Sequence, residues 1–283
     1  MIATVILDSE HFNGGRLTTM ELKIPTCVLA QFNTHRMFSR NAASMRAIPT
    51  KRVIQATLSD PYEPEWLSNK PGMQGGEPIK HPRLARFLWR AALRVAAVFV
   101  ATLARLGLHK QVVNRLLSPW SYTKVLTTGT DEAWANFLAL RAEPHADPAL
   151  QYVARAAAFA LANSKPQKLA LGEWHLPYWG ATSPRGAEHP KQGIFQSVAR
   201  CARVSYKTLG DTDTFSDLAK DRDLYGKLLE SDPKHASPAE HQVCAVLSTD
   251  QGGNLGAGWM QYRKTLVGEA KADLVAELSR LGY

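Results

Sequence analysis

Thr34-His35-Arg36-Met37-Phe38-Ser39-Arg40-Asn41-Ala42-Ala43-Ser44-Met45-Arg46 is the stretch on which the reading of this 283-residue chain turns. It holds one His, three Arg, one Asn and two Ser, and no acidic residue. A solvated charged face would mix Lys with Glu, whereas this segment sets positive charge and small hydrogen-bonding groups between short apolar ones. That is the composition of an anion site. Arg offers a flat fork of donors that matches phosphate oxygens, and Ser and Asn can hold the neutral edge of a base beside it. The plain rival is a basic surface loop.

Upstream, Ile2 to Leu7 and Leu17 to Ile24 are β-rich runs separated by Asn13-Gly14-Gly15, which predicts a hairpin. Pro25 breaks the second strand and Thr26 is placed to cap a helix that carries Gln31 at its end and leads into the motif; Pro49 closes it. Apolar content of 45% and charged content of 21% make the chain globular, long enough for one large core or two small ones. The net charge of +9 points to anionic ligands, either nucleotides and folate-like polyanions or nucleic acid, without choosing between them. Cys27, Cys201 and Cys244 form no CxxC pair and no metal spacing, which suits ordinary buried thiols in a reducing compartment and gives no metal site. Asp8, Glu10 and His11 interrupt any apolar leader, so a cytoplasmic protein is expected.

Downstream, residues 58 to 82 hold five Pro and three Gly among polar residues, the pattern of an extended loop, a surface wrap or a lid. From Pro82 to Leu106 apolar residues recur at helical spacing, interrupted by Arg83, Arg86, Arg90, Arg94 and Arg105, and Gly107 stops the pattern. Its charge-free piece, Val95 to Ala104, is too short to cross a bilayer, so no membrane is expected and the helix reads as a core helix with a wet basic side. Pro119 to Thr130 is a mixed Ser, Tyr, Thr and Gly segment. Helical patterns follow from Asp131 and from Pro148 to Ala162; Arg141 and His145, four apart, would share a face if the first helix ran on past Pro144. Ile194 to Tyr206 reads as a helix or a helix end and Leu218 to Leu229 as a polar helix, with an Asp-rich loop at 211 to 217 between them. Ser237, Pro238 and Glu240 give a helix start, Val243 to Leu247 is apolar, and glycines at 252, 253, 256 and 258 loosen the chain before Trp259.

His35-Arg36, seven further residues, then Ser44-x-Arg46 resembles the signature of the flavin-dependent thymidylate synthases, Arg-His-Arg, seven residues, Ser-x-Arg. Asn136-Phe-Leu-Ala-Leu-Arg141 with His145-Ala resembles a second family block, and Arg115 with Tyr122-Thr123 fits the Arg, Pro and Tyr-Thr that precede it. Ala202-Arg203-Val204-Ser205-Tyr206, followed by His235-x-Ser237-Pro-x-Glu240-His241, resembles a third. In the family the third block precedes the first; here it comes last, the order of a circular permutation. The matched blocks cover about half of the chain, leaving chiefly 51 to 110 and the tail. The resemblance implies an α+β fold, an antiparallel sheet with packed helices, as a single domain over 1–283 with an inserted loop and helix at about 51–110.

It also implies a reaction: one carbon moves from methylenetetrahydrofolate to C5 of dUMP and is reduced by a flavin (FAD) hydride that NADPH supplies. By the same resemblance Arg46 and Arg115 hold the dUMP phosphate, Gln31 and Ser44 lie beside the nucleotide, Ser44 and Arg141 serve the chemistry, and Arg141 faces the uracil, where its charge steadies negative charge developing on the ring. His35, Arg36, Asn41, Asn136, His145, Ser205, His235, Ser237 and Glu240 surround the flavin. The family assembles as a homotetramer whose sites draw on several subunits. Four departures stand out: Thr34 for an Arg, Ala42 for a Glu, Thr130 for an Asn and Glu132 for an Arg. They leave room for a relative that hydroxymethylates or otherwise modifies a pyrimidine nucleotide at C5. Read without the family, Asn136, His145 and Ser205 are helix caps and ties, and the +9 charge suits a nucleic-acid-binding module.

Overall fold

The computed structural model describes residues 2–72, 74–179, 190–206, 218–232, 234–249 and 253–268. The predicted hairpin is present: β1 (Ala3–His11) and β2 (Arg16–Pro25) pair antiparallel from Glu10↔Arg16 to Ala3↔Leu22. Gly14 and Gly15 both sit at φ +88°, the left-handed region that lets the tight connection close.

After Pro25 the chain makes one 3₁₀ turn and one short α-turn, α1 (Leu29–Phe32), a shorter helix than the sequence suggested. Thr26 makes no capping bond there; its hydroxyl accepts from Ser121 instead. The motif then enters a strand, β3 (Ser39–Ala42), which leads to α2 (Thr50–Ser59). Residues 61–72 and 74–80 form the expected loop, held by the bridge Leu67↔Pro78 and by the backbone bonds between Ser68 and Glu77 and between Tyr62 and Trp120. Beyond it run α3 (Pro82–Arg105), α4 (Lys110–Val113) and a 3₁₀ segment over Asn114–Trp120.

The mixed segment at Pro119 to Thr130 proves to be β4 (Tyr122–Thr130), the strand that holds the main sheet together. It pairs antiparallel with β2 along nine positions and with β3 along four, in the order β3-β4-β2-β1-β5. Close packing shapes its far end, where a Cβ on Gly129 would lie 2.5 Å from the Phe38 ring. Thr130 caps α5 (Asp131–Arg141), its hydroxyl accepting from the Ala133 amide, and α6 (Pro148–Ala162) follows, capped by Asp147. β5 (Gln167–Leu169) adds to β1 in parallel, the one exception to the antiparallel expectation. A second antiparallel sheet joins β6 (Trp174–His175), β7 (Val243–Ala245) and β8 (Trp259–Gln261), flanked by α7 (Pro190–Arg203) and α8 (Leu218–Leu229). The Asp-rich segment 211 to 217 lies outside the described residues.

Register assigns each face of the β2–β4 ladder. Met20, Leu22, Ile24 and Val125 share one face and bury against Trp134, Phe137, Leu150, Val153 and Ala157 of α5 and α6. On the other, Leu17, Thr19, Glu21 and Lys23 stand beside Thr128, Leu126 and Lys124, under the layer built by β6–β8 and α7.

The reading of α3 as a core helix is overturned. Leu93, Ala97 and Val100 do bury against Ile48, Val53, Val113 and Leu117. Yet Leu84, Phe87, Leu88, Val95, Val98 and Phe99 are all more than half exposed. At 100° per residue those six lie opposite the buried three, so the apolar pattern contains two faces and the chain covers one. By length and composition alone Pro82–Arg105 suffices to cross a bilayer, which the charge-free count had discounted.

Candidate nucleotide site

Between the loop after β3, α2 and the start of β4 lies a cavity of about 390 Å³. Leu29, Met45, Ile48 and Val53 give it apolar walls; Arg46, Arg115, Lys124, Ser44 and the Tyr122-Thr123 pair give it polar ones, with Asp60 as its carboxylate. Backbone bonds hold the 43–48 loop over it. The Ala43 amide donates to the Lys124 carbonyl at 2.7 Å and the Thr123 hydroxyl donates back to the Ala43 carbonyl at 3.2 Å. Buried Asn114 donates to the carbonyls of Met45 (2.8 Å) and Ile48 (3.0 Å), and Lys110 to that of Ala47 (3.0 Å). So the two arginines, 46 and 115, are brought to one cavity by a clamp between their neighbours. Among the described residues neither guanidinium makes an ion pair. Burial, and then the nearby Asp60 carboxylate, push the Tyr122 hydroxyl up to about 12, so it enters the cavity as a neutral donor.

The third family-like block packs on the first although 160 residues separate them. The Ser44 amide donates to the Ser205 carbonyl at 2.9 Å, the Ser205 hydroxyl to Asn41 Oδ1 at 3.0 Å, and Asn41 Nδ2 to the Cys201 carbonyl at 2.7 Å. Gln261 ties the Ser39 hydroxyl (2.7 Å) to the Glu240 carbonyl (3.0 Å), while the Glu240 carboxylate takes Arg263. Ser237 opens a 3₁₀ turn with Pro238 inside its first turn, but Ala236 is the residue before it and no side-chain cap forms. His235 and Ser237 are exposed.

Arg141 does not line the cavity. It closes α5 and donates from Nε to His35 Nε2 at 2.9 Å. His35 is buried among Phe32, Phe38 and Phe137, and burial, helped by Arg141 and Arg40, lowers it to about 4. It is therefore neutral, with its proton on Nδ1 and its Nε2 lone pair fixing the guanidinium. α5 ends at Arg141, so His145 does not share its face; it sits exposed in the following turn, 3.2 Å from Glu143. Gln31 is exposed and donates to Asp147 at 3.1 Å, away from the cavity. Arg36 and Asn136 are exposed as well. Thr34, at a departure from the signature, turns its hydroxyl back to the Gln31 carbonyl. Of the three cysteines, 201 and 244 are buried, but Cys27 is exposed, against expectation. Asn114 and Lys124 had no signal in the sequence beyond their nearness to Arg115 and Tyr122-Thr123.

A search of the curated proteins finds no match. Among solved structures the chain is similar to a UMP/dUMP methylase, PolB from Streptomyces cacaoi, bound with 5-Br dUMP: 23% identity, 52% of this chain, 67% of that one, TM-score 0.42. The same protein bound with 5-Br UMP aligns at 20% identity over 52% and 68%, TM-score 0.43. Residues 16–167, which include the hairpin's second strand, the cavity, α3 and the His35–Arg141 pair, match the thymidylate synthase complementing protein family, and the chain belongs to that family, the flavin-dependent thymidylate synthases.

Proposed function

We propose that the protein methylates dUMP at C5, taking the carbon from methylenetetrahydrofolate and the hydride from a flavin that NADPH reduces. The observation that carries this is the convergence of Arg46 and Arg115 on one cavity beside Ser44 and Tyr122-Thr123. Two guanidiniums suit a phosphate monoester dianion, and the apolar wall of Leu29, Ile48 and Val53 suits the uncharged part of the nucleotide. Arg141 stands outside that cavity, oriented through His35, so its remaining donors would serve the uracil of a nucleotide held by a neighbouring subunit, stabilising the charge that makes C5 nucleophilic. C5 gains a methylene carbon, loses its proton, and the methylene is completed by hydride.

Of the residues read as flavin ligands, His35, Asn41, Ser205 and Glu240 have side chains bonded within the chain, to Arg141, the Cys201 carbonyl, Asn41 and Arg263, which leaves five to hold such a group. Arg36, Asn136, His145, His235 and Ser237 are exposed on the surface, an open set of cationic and neutral donors suited to a long phosphorylated ligand, and FAD would supply the hydride there. An open set and a separate cavity, together with the uncovered apolar face of α3, support a site closed by other subunits of a homotetramer. The packing of Ser205 on Asn41 and Ser44 supports reading the third block as the family's first in permuted order. The Thr34 and Ala42 departures favour one second reading, hydroxymethylation at the same carbon.

Release of tritium from 5-tritiated dUMP, with FAD, NADPH and methylenetetrahydrofolate present, tests the reaction, and the product mass separates methyl from hydroxymethyl. Arg141→Ala is expected to abolish release while the melting temperature stays within a few degrees. Survival of turnover in that variant removes the role given to Arg141, and a colourless protein that takes up no FAD removes the flavin reading.

A further inference from the structure

On the polar face of the β2–β4 ladder Lys23 stands directly opposite Lys124. Like charges at directly opposed positions destabilise an antiparallel pair, so a sequence that keeps both needs a reason. Each ammonium has its own carboxylate. Lys23 Nζ meets Asp60 at 2.5 Å and lies 4.1 Å from the centre of the Tyr122 ring, and Lys124 Nζ meets Glu21 Oε2 at 2.9 Å. The Lys124 and Glu21 side chains are only 14% and 18% exposed.

Behind this pair the arrangement is over-determined. The second oxygen of Glu21 accepts the Tyr178 hydroxyl at 2.5 Å, so both carboxylate oxygens are committed. Tyr178 is the one non-glycine residue at positive φ (62°) among the described residues, and its carbonyl is taken by Arg200 at 2.7 Å. A left-handed Tyr costs on the order of 1 kcal/mol and persists where its surroundings require it, commonly beside a functional site. What the arrangement presents is an ammonium with three donors, one held by Glu21, in the wall of the cavity that also receives Arg46 and Arg115.

Resting on the nucleotide reading of that cavity, we propose that Lys124 is a further substrate-positioning residue, which directs a donor to the nucleotide's phosphate while Glu21 and Tyr178 fix where its ammonium stands. The charges agree. Lys23 with Asp60 and Lys124 with Glu21 are each neutral as pairs, which leaves the two guanidiniums as the net charge facing the ligand, about +2 against the roughly −2 of a phosphate monoester at neutral pH. Lys124 therefore contributes direction more than net charge, since its countercharge is already in place.

Calorimetric titration of the full chain with dUMP tests this. Lys124→Gln, whose amide keeps a donor for Glu21, is expected to weaken dUMP binding about ten-fold or more, the worth of a charge-assisted hydrogen bond. Lys124→Arg should stay within about three-fold of the wild type, because it restores the cation, and Tyr178→Phe should weaken binding about three-fold with little change in melting temperature. A K124Q protein that binds dUMP as tightly as the wild type overturns the role, as does a K124R protein no better than K124Q, which would mean lost packing. If K124Q does not fold, Y178F carries the test by the same titration: unchanged affinity overturns the role. A wild type that takes no dUMP overturns the nucleotide reading itself and this role with it, an outcome distinct from binding that is indifferent to Lys124.

Discussion

The two faces of the β2–β4 ladder are built from the same two strands and held by different physics. One is hydrocarbon: Met20, Leu22, Ile24 and Val125 against the aromatic and aliphatic side of α5 and α6. The other is a line of polar groups. Ser9 bonds His175 Nδ1 (2.8 Å), His175 Nε2 bonds the Thr19 hydroxyl (2.7 Å), Thr19 bonds Thr128 (2.6 Å) and Thr128 bonds His241 Nδ1 (2.8 Å). Further along, past Leu126, come Glu21, Lys124, Lys23 and the cavity. Burial of apolar area is forgiving in detail; a buried polar line is not, because each group left without a partner costs its desolvation in full. The contrast teaches that the fold is secured on one side and the site positioned from the other.

Acid should separate the two faces most sharply. Burial lowers His175 and His241 to about 3, and His35 to about 4, against about 6.5 for an unfolded chain. The folded state thus binds fewer protons than the unfolded one, and its stability falls as the pH drops from about 6.5 towards those values. The loss is about 1.4 kcal/mol per pH unit for each imidazole, so by pH 4 it is on the order of 3 kcal/mol from each. Melting temperatures by circular dichroism from pH 7 to pH 4 should fall steeply below 6.5. A flat profile would mean that these imidazoles are not buried neutral. The hydrocarbon face carries one of the three imidazoles, His35 against Phe137, and the polar face the other two; on the hydrocarbon face the larger expected effect comes from truncation: Phe137→Ala, fully buried against Phe32, Phe38 and Trp134, should cost about 3–5 kcal/mol in urea unfolding at pH 7. A loss under 1 kcal/mol would show that the cluster is loosely packed.

What could be read beforehand follows the same division. The hairpin was legible because Gly14 and Gly15 supply the left-handed backbone that its turn uses, and α5 and α6 because their apolar residues recur at helical spacing from Asp131 and from Pro148. β4 was not, since Thr127, Thr128, Gly129 and Thr130 are buried on both sides of the sheet and show no alternation. α3 was misread for the opposite reason: helical periodicity reports an apolar face without saying whether this chain covers it. At the site, Arg46 and Arg115 were legible as a family pattern, but not that Arg141 stands outside their cavity against His35, nor that Lys23 faces Lys124, because cross-strand register is absent from a one-dimensional pattern. Thr26 and Ser237 were plausible caps by type and cap nothing, since a hydroxyl's partner is set by tertiary neighbours.

The smallest effect bears most directly on the polar face. Thr128→Val keeps volume and β-branching and removes one hydroxyl, so packing on the sheet is unchanged to first order. That hydroxyl bonds both Thr19 and His241 Nδ1, and His241 Nε2, buried, already has no hydrogen-bond partner among the described residues. The substitution would leave His241 with neither nitrogen bonded, at an expected cost of about 1–3 kcal/mol in urea unfolding at pH 7. Ile24→Val, a comparable loss of substance on the hydrocarbon face, should cost about 0.5–1.5 kcal/mol, and the order of the two is the informative quantity. If Thr128→Val proves the milder change, the polar line is not a set of obligatory bonds.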